Sequence, residues 1–289
     1  MNVNRSMCLD EIQIIFQDVD GCLNPEDGEA FGATEDWTPS VSQIAMLERL
    51  NRAIESSPVS HFIINTGRFW PILSQVAEHL TTRKARYFLL EHACVIYDRE
   101  RDGYLDLVAV ARQCEMGTLV ERFGNLRLMQ RLLDWYDRVG QAGMEAVYGG
   151  LMPRLDKVGN LSYALPEAAD PDEVLARIES MIRADFSAVE CASLEFCRSD
   201  RFIDILPGIH KLDGIELMCA YLGVDPGHAL AVGDYLNDLA VFEAFPRVMC
   251  PANAHPKIID LTRSKGPSGI VSDKAYGAAL LELLERMRA

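Results

Sequence analysis

Paired cysteines, a surplus of basic residues and long apolar runs are all missing from this sequence, and each absence removes a class of function. The eight cysteines stand singly (Cys8, Cys22, Cys94, Cys114, Cys191, Cys197, Cys219 and Cys250), with none of the short spacings of a zinc knuckle or a redox dithiol. Reduced thiols in a cytoplasm are the expectation. Lys and Arg number 28 against 43 Asp and Glu, a formal net charge of −15. That balance argues against nucleic acid or an anionic membrane as partner, because both need cations gathered on one face. No segment approaches the roughly 20 consecutive apolar residues that span a bilayer, and Met1 to Gln13 carries no basic stretch followed by an apolar run. A soluble, unprocessed, cytoplasmic chain is expected; its oligomeric state is left open.

What is present is a chain of 289 residues, 49% hydrophobic and 25% charged, which suits one large or two modest domains. Ile12 to Gln17 is a short apolar run ended by Asp18-Val19-Asp20-Gly21, the pattern of a buried strand stopping at a carboxylate-bearing turn. His61 to Asn65 runs in the same way into Thr66-Gly67-Arg68, and Ala229 to Val232 into Gly233-Asp234. Between the first two, Pro39 and Ser40 open a helix with Val41, Ile44, Leu47 and Leu50 on one face, and Pro71 starts another with Ile72, Leu73, Val76 and Leu80. Strand, helix, strand, helix predicts an α/β fold with a parallel sheet covered on both faces.

The middle of the chain changes character. Cys94 to Tyr97 and Tyr104 to Val110 read as a hairpin, Leu119 to Val139 as a long helix, and Leu161 to Leu165 as a strand. A helix opens at Asp170-Pro171-Asp172, and a second hairpin fits Ser193 to Cys197 and Phe202 to Leu206. The pattern predicts an inserted α+β domain over 93–206, between core segments 1–92 and 207–289. Asn24 to Thr38 reads as a long loop.

Asp18 and Asp20, at the end of a buried strand, point toward the crevice where open parallel sheets bind ligands. Thr66-Gly67-Arg68 supplies a hydroxyl, a closely approachable amide and a cation, which together suit a phosphate. Lys211 precedes a helix carrying Leu212, Ile215, Met218 and Leu222 and ended by Gly223. Gly233-Asp234-Tyr235-Leu236-Asn237-Asp238 adds two carboxylates and an amide just past a strand, hard oxygen donors of the kind Mg²⁺ takes. Each alone is ordinary; their joint occurrence in this order is not.

These four groups, in this order, resemble the four motifs of the haloacid dehalogenase superfamily. Pro251-Ala252-Asn253-Ala254 and Ser268-Gly269-Ile270 are similar to positions beyond the last motif in its Cof-type branch, which includes sucrose-phosphate and mannosyl-3-phosphoglycerate phosphatases. The resemblance covers residues 10 to 92 and 207 to 289. It implies a Rossmann-like core with a cap and a Mg²⁺-dependent phosphatase acting on a small phosphorylated metabolite, such as a sugar or sugar-acid phosphate. Asp18 is implied as nucleophile and Asp20 as acid and base, favoured in its protonated form by neighbouring acids. The implied metal ligands are Asp18, the backbone carbonyl of Asp20, Asp234 and Asp238; the implied phosphate holders are Thr66, Gly67 and Lys211, with Arg68 and Asn237 close behind. The inserted domain is implied to act as a lid that reads the leaving group.

The sequence departs from that pattern in two places. Cys22 stands where threonine is usual, and Glu91-His92-Ala93-Cys94 where Glu-Asn-Gly-Ala is common. Cys22 reads as a small buried filler, with a redox-sensitive thiol as the alternative. Lys157, Arg154 and Arg198 are read as surface cations. A phosphomutase on the same scaffold and a non-catalytic phosphometabolite-binding protein stand as rival readings.

Overall fold

The structure is a computed structural model that describes residues 9–23, 39–148, 152–165, 169–198 and 202–288. The chain divides into two compact units, one formed by residues 1–105 and 210–289 and the other by 106–209. The long loop read at Asn24 to Thr38 lies outside the described residues, as does Cys8.

Eleven strands are described: β1 Ile14–Gln17, β2 His61–Asn65, β3 Tyr87–Leu90, β4 Val95–Asp98, β5 Gly103–Tyr104, β6 Leu161–Ala164, β7 Glu195–Arg198, β8 Phe202–Leu206, β9 Ala229–Val232, β10 Val248–Cys250 and β11 Gly269–Val271. The first unit holds an eight-stranded sheet in the order β11-β10-β9-β1-β2-β3-β4-β5. From β11 to β3 every pairing is parallel, and β4 and β5 are added antiparallel. β1, β2, β3 and β9 are short and almost wholly apolar because helices cover both sides of the sheet. On one face, Leu47, Leu50, Ala53 and Ile54 of the helix Val41–Ser56 pack with Leu280, Leu283 and Leu284 of the helix Gly277–Arg286 over Ile15, Phe62, Ile64 and Val232. Ser40 starts the first of these helices through a reciprocal capping box with Gln43. The opposite face carries the helix Lys211–Leu222, whose Gly214 lies against Leu89 and Ala93.

Two features of the sequence reading change here. The segment from Cys94 onward does not begin the second unit: β4 and β5 extend the large sheet, and the division falls at Asp106. Tyr104 to Val110 is not a strand either. After Tyr104 the chain forms the helix Leu107–Gln113, with the Asp106 carboxylate accepting from the Ala109 amide at 3.0 Å as its N-cap. The valines favour a strand, but the cap and burial of Leu107, Val110 and Ala111 on one side favour the helix.

In the second unit the long helix is broken into Gly117–Gly124 and Leu126–Trp135, then a π-turn at Tyr136–Gly140 and a further helix Gln141–Tyr148. An antiparallel sheet in the order β6-β8-β7 packs one face on this helical layer and on Pro171–Asp185. Its core includes Met129, Leu132, Tyr136, Leu161, Tyr163, Ile178, Ile203 and Ile205, with the Tyr136 and Tyr163 rings stacked 5.3 Å apart. Strand alternation and the pairing of Ser162 with Asp204 place Asn160, Ser162 and Asp204 on the other face. Among the described residues, no helix is long and apolar enough to cross a membrane.

Candidate active site

β1 lies between β9 and β2, so the chain leaves it toward one side of the sheet and the third strand-end motif arrives on the other. That is where the carboxyl ends of parallel strands leave a crevice. Asp18 follows β1 directly, its amide donating to the Val232 carbonyl at 3.0 Å, and its carboxylate accepts from the Val19 amide at 2.7 Å. Asp234 and Asp238 follow β9, and the Asp238 carboxylate accepts from the Asp234 amide at 3.1 Å. Asp18, Asp234 and Asp238 are all buried, and each offers a carboxylate oxygen within 4.8 Å of the others.

Lys211 is the cation of this cluster. Its side chain is 1% exposed, and Nζ lies 2.5 Å from Asp18 Oδ2 and 2.8 Å from Asp238 Oδ1. It stands in the first turn of its helix, where the helix dipole disfavours positive charge, so the two carboxylates rather than local preference hold it there. Burial pushes the ammonium pKa down, but Asp18 and Asp238 outweigh burial and keep it above its ordinary value. Burial also lifts the Asp18 carboxyl well above the usual carboxylate range; Lys211 opposes this and Asp238 and Asp234 add to it.

With all three buried carboxylates ionised, one buried ammonium would leave two negative charges uncompensated, and the raised Asp18 carboxyl reflects burial together with that excess. A divalent cation with a preference for oxygen would neutralise them, so the residues present fit Mg²⁺. Asp18, Asp234 and Asp238 are the side chains able to hold it. The Asp20 carboxylate is not in this group. Arg68 binds it through both Nε and Nη2, with Nε 2.9 Å from Oδ2, and the Asp20 side chain remains 41% exposed. The expectation that neighbouring acids crowd Asp20 therefore gives way: its contact is a cation. Arg68, expected close behind the phosphate, is engaged with Asp20 in this state because its guanidinium reaches across from the next strand end.

The Thr66-Gly67-Arg68 turn is tied to the end of β3. The amides of Glu91 and His92 donate to the carbonyls of Arg68 and Thr66 at 2.9 and 3.1 Å, and Thr66 Oγ1 accepts from the Arg68 amide at 3.2 Å. Glu91, His92 and Ala93 all have left-handed backbones, with φ of 51°, 60° and 73°. A Cβ on Gly67 would lie 2.8 Å from both Cε1 and Nε2 of His92, so only glycine lets the ring pack there. Gly21 is under the same constraint: φ is 68°, and a Cβ would come 1.9 Å from Asp234 Oδ2.

Asn237 is exposed on the turn Leu236–Asp238, and no hydrogen bond joins it to the groups above among the described contacts. Cys22 is buried, with Sγ 3.5 Å from Asp234 Oδ1. Burial and the three carboxylates push its thiol well above the ordinary pKa, the condition of an inert filler. Two further residues belong to the setting. Gln17, fully buried, donates to the Asp18 carbonyl at 2.8 Å, and Asn65 reaches the Lys211 carbonyl at 3.5 Å. A polar residue closing each apolar strand was the available signal. In the second unit Lys157 is buried, not superficial, with Nζ 3.4 Å from Asp204 Oδ1, whereas Arg154 pairs with Asp137 and Arg198 with Asp172.

Comparison with known proteins follows the same lines. Residues 159–264 match the haloacid dehalogenase-like hydrolase family. A phosphoglycolate phosphatase of Sulfurisphaera tokodaii is 26% identical over 223 residues, covering 75% of this chain and 85% of that one. A phosphoglycolate phosphatase of Haloarcula marismortui is 32% identical over 82 residues, 28% of this chain and 34% of its own length. Among solved structures, a Thermoplasma acidophilum protein superposes with a TM-score of 0.61 at 15% identity, covering 96% of this chain and 98% of that one. The sucrose-phosphatase of Synechocystis, solved with sucrose and phosphate, superposes with a TM-score of 0.56 at 18% identity over 96% and 98%. In the order of its strand-end carboxylates, its buried lysine and the α+β unit between them, the chain resembles the haloacid dehalogenase superfamily, whose hydrolase model its residues 159–264 match.

Proposed function

We propose that this protein is a Mg²⁺-dependent phosphatase that hydrolyses a small phosphorylated metabolite, a sugar or sugar-acid phosphate, through an aspartyl-phosphate on Asp18. The observation that carries this reading is the buried Lys211 ammonium, bound to Asp18 and Asp238 beside Asp234. It sets a nucleophile, a cation for phosphoryl oxygens and a set of hard oxygen donors within one crevice.

Bound Mg²⁺ would supply charge neutralisation, screening an anionic nucleophile from an anionic phosphate. A carboxylate oxygen of Asp18 attacks phosphorus, forming the acyl phosphate as the bond to the ester oxygen breaks. Asp20 in its protonated form delivers a proton to that oxygen. As carboxylate it then takes a proton from the water that attacks phosphorus, releasing inorganic phosphate and regenerating Asp18. Lys211, the Thr66 hydroxyl and the Gly67 amide hold the phosphoryl oxygens as charge redistributes. Arg68 must leave Asp20 for this to proceed, and an incoming phosphoryl group is the natural competitor for its guanidinium.

Recognition of the leaving group is assigned to the unit 106–209. On its polar sheet face, Asn160 and Ser162 are buried with side-chain polar atoms that meet no hydrogen-bond partner among the described residues, and Lys157 lies by Asp204. Groups of that kind suit the hydroxyls or carboxylate of a sugar or sugar acid. Similarity to phosphoglycolate phosphatases and to a sucrose-phosphatase supports a small organic phosphate.

The deciding experiment is phosphate release from a panel of sugar phosphates, phosphoglycolate-like acids and nucleotides, with and without Mg²⁺, beside the Asp18→Asn protein. Metal-dependent release that disappears in the variant is expected. A folded Asp18→Asn protein with undiminished turnover would end the assignment. Transfer of phosphate within the substrate without free phosphate would make the protein a mutase, and ligand binding without either would make it a sensor.

A further inference from the structure

We infer that Asn253 is a positioning residue for the carboxylate cluster, holding the backbone that follows Asp20 against Asp234. The inference rests on the metal-site reading above, and it assigns a role to a residue outside the four strand-end motifs.

Asn253 lies in the segment that follows β10. Its Nδ2 donates to the Gly21 carbonyl at 2.8 Å, and its Oδ1 accepts from the Tyr276 amide at 3.0 Å. The neighbouring backbone is anchored independently: the Ala252 amide donates to the Lys274 carbonyl and the His255 amide to the Asp234 carbonyl, each at 2.8 Å. One short segment therefore grips both loops that carry carboxylates, Asp234 through its main chain and the Asp18–Gly21 turn through the Asn253 side chain.

The Gly21 end of the bridge matters because that residue has no slack. Its left-handed backbone touches the Asp234 carboxylate so closely that a Cβ would overlap Oδ2, so any shift of Gly21 changes the wall that orients Asp234. The peptide before Gly21 carries the Asp20 carbonyl, the backbone oxygen assigned to the metal. The Asn253 carboxamide thus fixes two oxygen donors at once without touching substrate. Groups that orient metal ligands from behind typically change metal affinity about 10–100-fold when removed.

A purely structural role makes a different prediction, and the chain contains its own control. Asn51 forms an equivalent two-ended bridge away from the site, with Nδ2 donating to the His79 carbonyl at 2.7 Å and Oδ1 accepting from the Thr81 amide at 3.0 Å. Asn51 is 9% exposed, whereas Asn253 is exposed, so removing Asn51 should disturb folding more.

The test is calorimetric titration with Mg²⁺, together with Tm and steady-state kinetics, on wild type, Asn253→Ala, Asn253→Leu and Asn51→Ala. Both Asn253 variants are expected to keep Tm within a few degrees, bind Mg²⁺ about tenfold or more weakly, and lose kcat with KM little changed. Asn51→Ala is expected to lose Tm and keep its Mg²⁺ affinity. Asn253 variants that bind Mg²⁺ within about twofold of wild type would overturn the inference, since a group orienting the ligands must move that affinity. An equal loss in Asn51→Ala would also overturn it, by showing general loosening. The titration needs no turnover, so wild type that binds Mg²⁺ but releases no phosphate ends the phosphatase reading and still tests the bridge. Wild type that takes up no Mg²⁺ ends both.

Discussion

Arg68 and Asp20 form a two-nitrogen ion pair between the ends of β2 and β1, with the guanidinium almost wholly buried and the carboxylate partly open to solvent. The residue assigned to proton transfer is therefore held by the arginine of the Thr66-Gly67-Arg68 turn. On the proposed mechanism, phosphate and Asp20 compete for one guanidinium. Replacing Asp20 by Asn should tighten binding of inorganic phosphate by about fivefold, the equivalent of a half-exposed ion pair of roughly 1 kcal/mol. In an Arg68→Gln background the same replacement should change little. A gain of equal size in both backgrounds would mean that Asp20 acts only through its general charge.

The close approach of His92 to Gly67 makes a steric prediction. Gly67→Ala should leave the protein folded but raise KM for any phosphate ester about tenfold, because the new methyl displaces either the ring or the amide proposed to hold phosphate. Adding His92→Gly opens the space and should restore most of the affinity. Kinetics of the single and double variants decide this, and a double variant no better than Gly67→Ala would show that the turn itself had been distorted.

Stability at acid pH should depend on Asp98, whose side chain is fully buried on β4 and is held by Arg86 at 2.8 and 2.7 Å. The hydrogen bonds from Arg86 hold the carboxyl below its usual range against the opposing effect of burial. A folded pKa below the unfolded value of about 3.9 means that the contribution is fully present above that value and is lost as pH falls through the folded pKa. Asp98→Asn should cost about 3 kcal/mol near neutrality. Thermal denaturation from pH 7 to pH 3 should show the gap between variant and wild type closing only below about pH 4. A gap that closes already near pH 6 would rule Asp98 out as its source.

Cys22 should be chemically quiet. Its thiol is buried beside Asp234 and is pushed up by burial and by the surrounding carboxylates, whereas Cys197 is exposed. Alkylation followed by peptide mass spectrometry should find Cys197 modified well before Cys22 at neutral pH, and peroxide should not inactivate the protein through Cys22. Modification of Cys22 first would revive the redox reading.

The local chemistry of the chain was legible where polar residues interrupt short apolar runs. Asp18, Thr66 and Asp234 each follow such a run, and the structure places all three at strand ends of one sheet. β3 was not recognised: Tyr87–Leu90 runs into Glu91-His92-Ala93-Cys94, without the Gly or Asp turn that marks the ends of the equally short β1 and β9. The helix Leu107–Gln113 was misread because its two valines and neighbouring apolar residues suit either element, and the deciding signal was the single cap at Asp106.

The sequence by itself determined the alternation of strands and helices and the order of the polar groups that end the strands. Both depend on contacts between near neighbours, namely periodicity, caps and turns. Only the tertiary structure decided which groups meet. Lys211 is bound to Asp18 across 193 residues, Arg68 turns to Asp20, β4 and β5 join the large sheet, and Asn253 reaches Gly21 across 232 residues. Pairings between distant segments are set by strand order and by the compensation of buried charge, and neither leaves a trace in local spacing.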